Sequence, residues 1–282
     1  MTQAGHHLRF GYADTRHGQL HYRRAPGHSI DIVLLHWAPA TGRMYDAIIP
    51  ALANLGLGAF APDLPGFGAS LKPAAPWGPA EMAACLLDAL DSLGAAPVVV
   101  VGGHLAANVA IEMALRDPVI VPAVCLDGVY AVTEAEGAAL AAPYAGLTPR
   151  IRPDGAHRHF VWDMTVAFLH EWNPRFEASP QTLPQMYAAM GDYLQMGYAA
   201  MLGWLEPEAP PPAYDALARI AALETRLLVL TAEQEALRPA FPRALSANPR
   251  ARGHEFPGNH PLFDAARAAE YAAVIAAFAR GG

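Results

Sequence analysis

Charge is scarce in this sequence, and cysteine scarcer still. Charged residues fill only 16% of the 282 positions, while hydrophobic ones fill 53%. Intrinsic disorder needs the opposite balance, low hydrophobicity with high net charge, and is excluded. The 19 basic residues are outnumbered by 26 acidic ones, for a formal charge of -7. A chain of that sign offers no broad footprint for nucleic acid. The two cysteines, Cys85 and Cys125, lie far apart and form no Cys-x-x-Cys pair. That excludes a disulfide scaffold and a thiolate zinc site, and it fits a reducing, cytoplasmic setting. Met1 to Asp14 lacks the basic-then-apolar layout of a secretory signal. The most apolar stretch, Ala95 to Leu115, is interrupted by Gly102, Gly103, His104, Asn108 and Glu112, so no membrane span is expected. There is no Walker motif, and Gly66-Phe-Gly68 lacks the remaining glycine of a dinucleotide fingerprint. No organic cofactor is implied.

What is present is an alternation of short β-rich runs and alanine-rich helical runs. Leu8–Ala13 and Gln19–Arg23 read as a strand pair about a turn at Arg16–Gly18. Ile32–Leu35 is a continuous apolar run, as a strand buried on both faces requires. A helix over Met44–Leu55, a strand over Gly58–Ala61 and a helix over Pro79–Leu93 follow. Val98–Val101 is the clearest strand; then come a helix over Leu105–Arg116 and a strand over Val121–Leu126. Strands at Leu227–Leu230 and Ala251–Phe256 and a closing amphipathic helix over Asp264–Ala279 complete the series. Strand–helix alternation with apolar strands predicts an α/β fold, a doubly wound and mostly parallel sheet covered on both faces. The alternation breaks over 130–212, which holds Trp162, Trp172 and Trp204 and ends in a proline-rich stretch. This segment reads as a helical cap inserted into a core made of 1–129 and 213–282. Its aromatic content predicts a fairly apolar small-molecule substrate.

The chemistry is expected where the strongest strand ends. Four valines run into Gly102-Gly103-His104-Leu105-Ala106, and a helix starts at once. A strand, a sharp turn flanked by small residues and a helix describe a nucleophile elbow, which lifts the tip side chain above the sheet edge. The tip residue is His104. In this the sequence resembles the α/β-hydrolase fold family, over nearly its whole length. His36-Trp37-Ala38-Pro39 is similar to the family's His-Gly-x-Pro oxyanion loop, with Trp37 in place of glycine. The resemblance implies that the backbone amides of Ala38 and Leu105 form the anion-binding pair and that Trp37 narrows the acyl side of the pocket. Asp63-Leu-Pro-Gly66-Phe-Gly68-Ala-Ser70 matches the family's loop after its fourth strand. Glu235 stands where the family carries its acid, and Asp127 is the alternative acid. Pro257-Gly258-Asn259-His260 looks like the loop of the catalytic histidine, which makes His260 the base and Glu235 its first-choice partner. From the cap, His157 and Trp162 are placed facing the pocket. His36 reads as a structural hydrogen-bonding residue, and His21 and His254 read as surface or edge positions.

The family's nucleophile is Ser, Asp or Cys, so His104 is a departure that leaves several readings open. An imidazole can act as nucleophile or base near neutral pH. The first reading is therefore hydrolysis of an ester, lactone or similar acyl compound, with His260 as second base. A second is proton transfer without a covalent intermediate, as in a lyase, an isomerase or a cofactor-free oxygenase. A third has His104 and His260 bind a metal with Glu235 or Asp127, although the spacing is unspecific and no metal is expected. The last is a silent relative that only binds a ligand, or a Ser-to-His replacement. The partners expected are a small-molecule substrate and, at most, a second copy of the chain.

Overall fold

In the computed structural model the described residues are 7–38, 40–75, 77–133, 135–136, 153–156, 158–159, 162–163, 166 and 214–282. Apart from those short pieces, the expected cap at 130–212 lies outside them, as does His157.

Eight strands form one sheet in the order β1-β2-β4-β3-β5-β6-β7-β8. They are β1 Arg9–Thr15, β2 Gly18–Arg24, β3 Ile32–Leu35, β4 Ala59–Pro62, β5 Val99–Gly103, β6 Ala123–Asp127, β7 Arg226–Ala232 and β8 Arg252–Phe256. β2 runs antiparallel to both β1 and β4, and the other neighbouring pairs are parallel. The helices are α1 Ile48–Asn54, α2 Pro79–Ser92, α3 Leu105–Arg116, α4 Ala216–Ala221, α5 Phe241–Ala247 and α6 Ala268–Ala279. The doubly wound, mostly parallel α/β sheet expected from the alternation is what forms.

The reason lies in the two-residue period of a strand. Val33, Leu35, Val100 and Val124 point to one side and join the core built with α2 and α3. Ile32, Leu34, Val99, Val101 and Cys125 point to the other and meet α1 and α6. All four residues of β3 and all five of β5 are buried, so a continuous apolar run was needed at each. The expected helix over Met44–Leu55 is instead a short 3-10 turn, Gly42–Tyr45, followed by α1. Gly42 anchors that turn, donating its amide to Asp63 Oδ1 at 2.9 Å. No described helix is long and apolar enough to cross a membrane.

Strand register then lines up the site. Leu35 pairs with Gly102, so the two residues after β3 run beside Gly103 and His104. Gly103 pairs with Asp127, and Asp127 with Leu230. Trp37, His104, Gly128 and Thr231 therefore form a row along the carboxyl edge.

Candidate active site

The elbow is the most strained point of the described backbone. His104 has φ 51° and ψ -119°, and it is the one described non-glycine residue with a positive φ. Such a conformation is a sharp penalty for a side chain with a Cβ and persists where the surroundings impose it. The small neighbours explain how. A Cβ on Gly102 would stand 2.3 Å from the Ala106 carbonyl oxygen, so backbone passes backbone there at close range. A Cβ on Gly103 would overlap the Trp37 indole, its Nε1 only 1.7 Å away.

Three walls enclose the His104 ring. The Trp37 indole stacks on one face, with centroids 3.6 Å apart and planes 18° apart. Gly128, at φ 68°, lies against the Cδ2–Nε2 edge; a Cβ there would fall 2.7 Å from Cδ2 and 2.1 Å from Glu235 Oε1. Nε2 itself is 3.1 Å from Glu235 Oε1. The Glu235 side chain is fully buried, while that of His104 remains 16% exposed. The second carboxylate oxygen accepts from the Thr231 hydroxyl at 3.0 Å and the Ala232 amide at 3.2 Å. A carboxylate held so firmly accepts from the imidazole, so the Nε2–H is turned to Glu235.

His260 is a separate pair, and here the expected partnership is corrected. Its Nε2 lies 2.8 Å from Asp127 Oδ1, so Asp127 and not Glu235 orients it. The Leu262 amide, 3.2 Å away, donates to Nδ1. Asp127 Oδ2 accepts from the Tyr271 hydroxyl at 2.6 Å. The whole group is buried. Burial works against both charges. It is outweighed by the mutual attraction of the pair, which holds Asp127 below the usual carboxylate range and raises His260 above its ordinary value. The Leu262 contact serves the neutral ring, so a second proton on His260 would displace it. Both ring nitrogens of His260 thus meet groups other than Glu235. The physical reason is reach: register sets Asp127 at the end of β6, inside the sheet edge, while Glu235 sits three residues past β7 and extends to the elbow tip. Trp37 touches both rings, meeting His260 edge-on at 5.5 Å.

His36 behaves as the structural residue expected. The Leu64 amide donates to its Nε2 at 2.9 Å, so its Nδ1 carries the proton and donates to the Trp37 carbonyl at 2.8 Å. Burial pushes its pKa down to about 4, which keeps it neutral. The Asp63 loop locks in alongside. Its carboxylate accepts the Gly42 and Ala69 amides and faces His21 Nδ1 at 2.9 Å. Burial opposes the charge, but His21 and the two amides outweigh it and bring Asp63 to about 2. His21 is therefore no loose surface residue. Ala38 and Leu105 are half-buried beside the elbow, and Trp162 is half-buried. Tyr271 and Thr231 escaped sequence reasoning; the only signal was their place on a core-facing helix and at a strand's end.

The model of the alpha/beta hydrolase family matches residues 32–274. The structure is similar to that of a carboxylesterase, CesB, from Bacillus subtilis, with TM-score 0.75, 20% identity, and coverage of 98% of this chain and 93% of that one. It is also similar to an esterase from Exiguobacterium antarcticum, with TM-score 0.74, 15% identity, and coverage of 96% and 100%. A haloalkane dehalogenase from Mycobacterium marinum is 42% identical over 71 residues. That match spans only 25% of this chain and 24% of the dehalogenase.

Proposed function

The chain belongs to the alpha/beta hydrolase family, and on that premise we propose that it hydrolyses an ester, lactone or similar small acyl compound with His104 as general base. The observation that carries this reading is an imidazole at the strained elbow whose Nε2 is held by a buried carboxylate 3.1 Å away. In the family an elbow side chain meets the reacting carbon; here the group so presented is a base already coupled to its own acid partner.

The choice of base over nucleophile follows from the ring's surroundings. Nε2, the nitrogen farther from the backbone, is committed to Glu235. An acyl-imidazole would have to form at Nδ1, the nitrogen next to the Cβ-bearing carbon, and that crowding favours the ring as base. In the step proposed, Nδ1 takes a proton from a water molecule as its oxygen attacks the carbonyl carbon. The carbonyl oxygen becomes an oxyanion, which the Ala38 and Leu105 amides are suited to stabilise. Collapse of the intermediate breaks the bond to the leaving oxygen, which recovers the proton from Nδ1. Glu235 stabilises the imidazolium in between and takes no proton itself. The His260–Asp127–Tyr271 group supports the floor of the site. The aromatic-rich segment 130–212 supports an apolar acyl or alkoxy portion for the substrate.

The test is turnover of a panel of short esters, thioesters and lactones by the purified chain, with and without a chelator. Hydrolysis that survives the chelator and is lost in His104→Ala supports the reading. A wild-type protein inert towards the whole panel overturns it. Exchange of a carbon-bound proton with solvent in that case would favour the proton-transfer alternative, which the same Glu235-held base also suits.

A further inference from the structure

Trp37 and His104 lie closer, and more nearly face to face, than two neutral rings prefer. Neutral aromatic pairs avoid a sandwich because both faces are electron-rich, and they settle into offset or edge-on geometries with centroids about 4.5–7 Å apart. Here the centroids are 3.6 Å apart and the planes 18° from parallel. That separation is no more than a single carbon–carbon contact, so the rings overlap with almost no offset. Protonation reverses the sign of the interaction. A cation over the face of an indole is attracted to it, and more strongly where water is excluded.

The surroundings impose this arrangement. Trp37 is 0% exposed, and a Cβ on Gly103 would fall 1.7 Å from its Nε1, so the elbow does without a side chain there. The same indole meets His260 at 5.5 Å with the planes 70° apart, so of the two imidazoles only that of His104 is stacked on it. An aliphatic side chain could fill the space without holding two rings parallel. Among the described residues, the titratable groups around His104 are Glu235, 3.1 Å from Nε2, the Asp127 carboxylate, whose charge His104 favours, and His260 beyond the indole. Glu235 acts at the edge of the ring, and Trp37 acts over its face.

We propose that Trp37 is a positioning residue of the reaction, whose indole face stabilises the imidazolium that forms as His104 takes its proton. The proposal rests on the reading of His104 as general base. The bulky residue beside the elbow is then part of the acid–base group: carboxylate, imidazole and indole together hold the developing charge.

Substitution of Trp37 alone by mono-, di-, tri- and tetrafluorinated tryptophan, through amber suppression, tests it. Each fluorine draws electron density from the ring face with little change in its size, so packing is kept while the attraction fades stepwise. The first readout is the NMR signal of the His104 ring, identified among the 12 histidines by its loss in His104→Ala. The ratio of protonated to neutral ring at fixed pH should fall roughly threefold to thirtyfold over the series, the range of a cation–π contact. The second is ester turnover at about pH 9, well above the imidazole range. It should fall stepwise by a smaller factor, because the charge is only partly developed in the transition state, and KM should stay put. A ratio unchanged by fluorination overturns the proposal and leaves Trp37 as packing alone. A ratio that falls in a protein inert towards every ester upholds the stack and sinks the hydrolytic reading instead.

Discussion

Two carboxylates near the elbow do different work, and single substitutions separate them. Glu235 orients His104 through a 3.1 Å contact, while Asp127 is closed between His260 and Tyr271. If His104 is the base, Glu235→Gln leaves an amide where the developing imidazolium needs a charge. Turnover should then fall by about 10²- to 10⁴-fold, the usual worth of a positioned acid–base group. Asp127→Asn should act mainly on the fold, because it leaves His260 buried without its counter-charge. Breaking one side of a buried pair costs roughly 3–5 kcal/mol. Measuring both kcat and Tm for each variant gives opposite rankings on the two scales. Should Asp127→Asn abolish turnover while Tm stays put, His260 would have to be returned to the chemistry.

At the scale of elements, the loop after β4 is bolted to the rest of the site by Asp63. Its carboxylate joins the β3–α1 connection through Gly42, its own loop through Ala69, and β2 through His21. A carboxyl group with a folded pKa of about 2, below its unfolded value of 3.8, adds stability above pH 4 and loses it as pH falls towards 2. A shift of that size corresponds to about 2 kcal/mol. Asp63→Asn should lower stability by about that much at neutral pH, and thermal melts between pH 4 and pH 2 should show a flattened acid limb. An unchanged limb would mean that other carboxylates carry acid unfolding. Elements such as β3, β5 and α3 were legible because their apolar pattern agrees with their burial. The short helices α4 and α5 were not, since six or seven residues carry too little periodicity to separate from a loop. The candidate residues were legible too, but their pairing was not: who reaches whom depends on register across β3, β5, β6 and β7, which no local pattern encodes.

Across the whole molecule, the departure from the family is a concerted one, and that decides what restoring a serine would do. Replacing His104 by Ser is the obvious route to an esterase if the chain is merely a hydrolase with its nucleophile swapped. The structure argues against success. A serine Oγ at position 104 needs an imidazole lone pair facing it. His260 has Nε2 on Asp127 and Nδ1 under the Leu262 amide, with both side chains of the pair almost wholly buried. The other carboxylate, Glu235, would face the shortened side chain with no histidine between them. Trp37 compounds the problem, since its indole packs on the elbow backbone at Gly103 and touches both rings. The sheet holds these groups by strand register, so one substitution does not rearrange them. His104→Ser alone should therefore show no burst and no turnover with p-nitrophenyl esters above the solvent rate, while wild-type hydrolysis is lost. Adding Trp37→Gly removes the indole but leaves His260 on Asp127 and under the Leu262 amide, so the double variant should show no serine-type burst either. A strong burst from the single variant would show that His260 already faces the elbow in solution, and the division of the site into two separate pairs would fall.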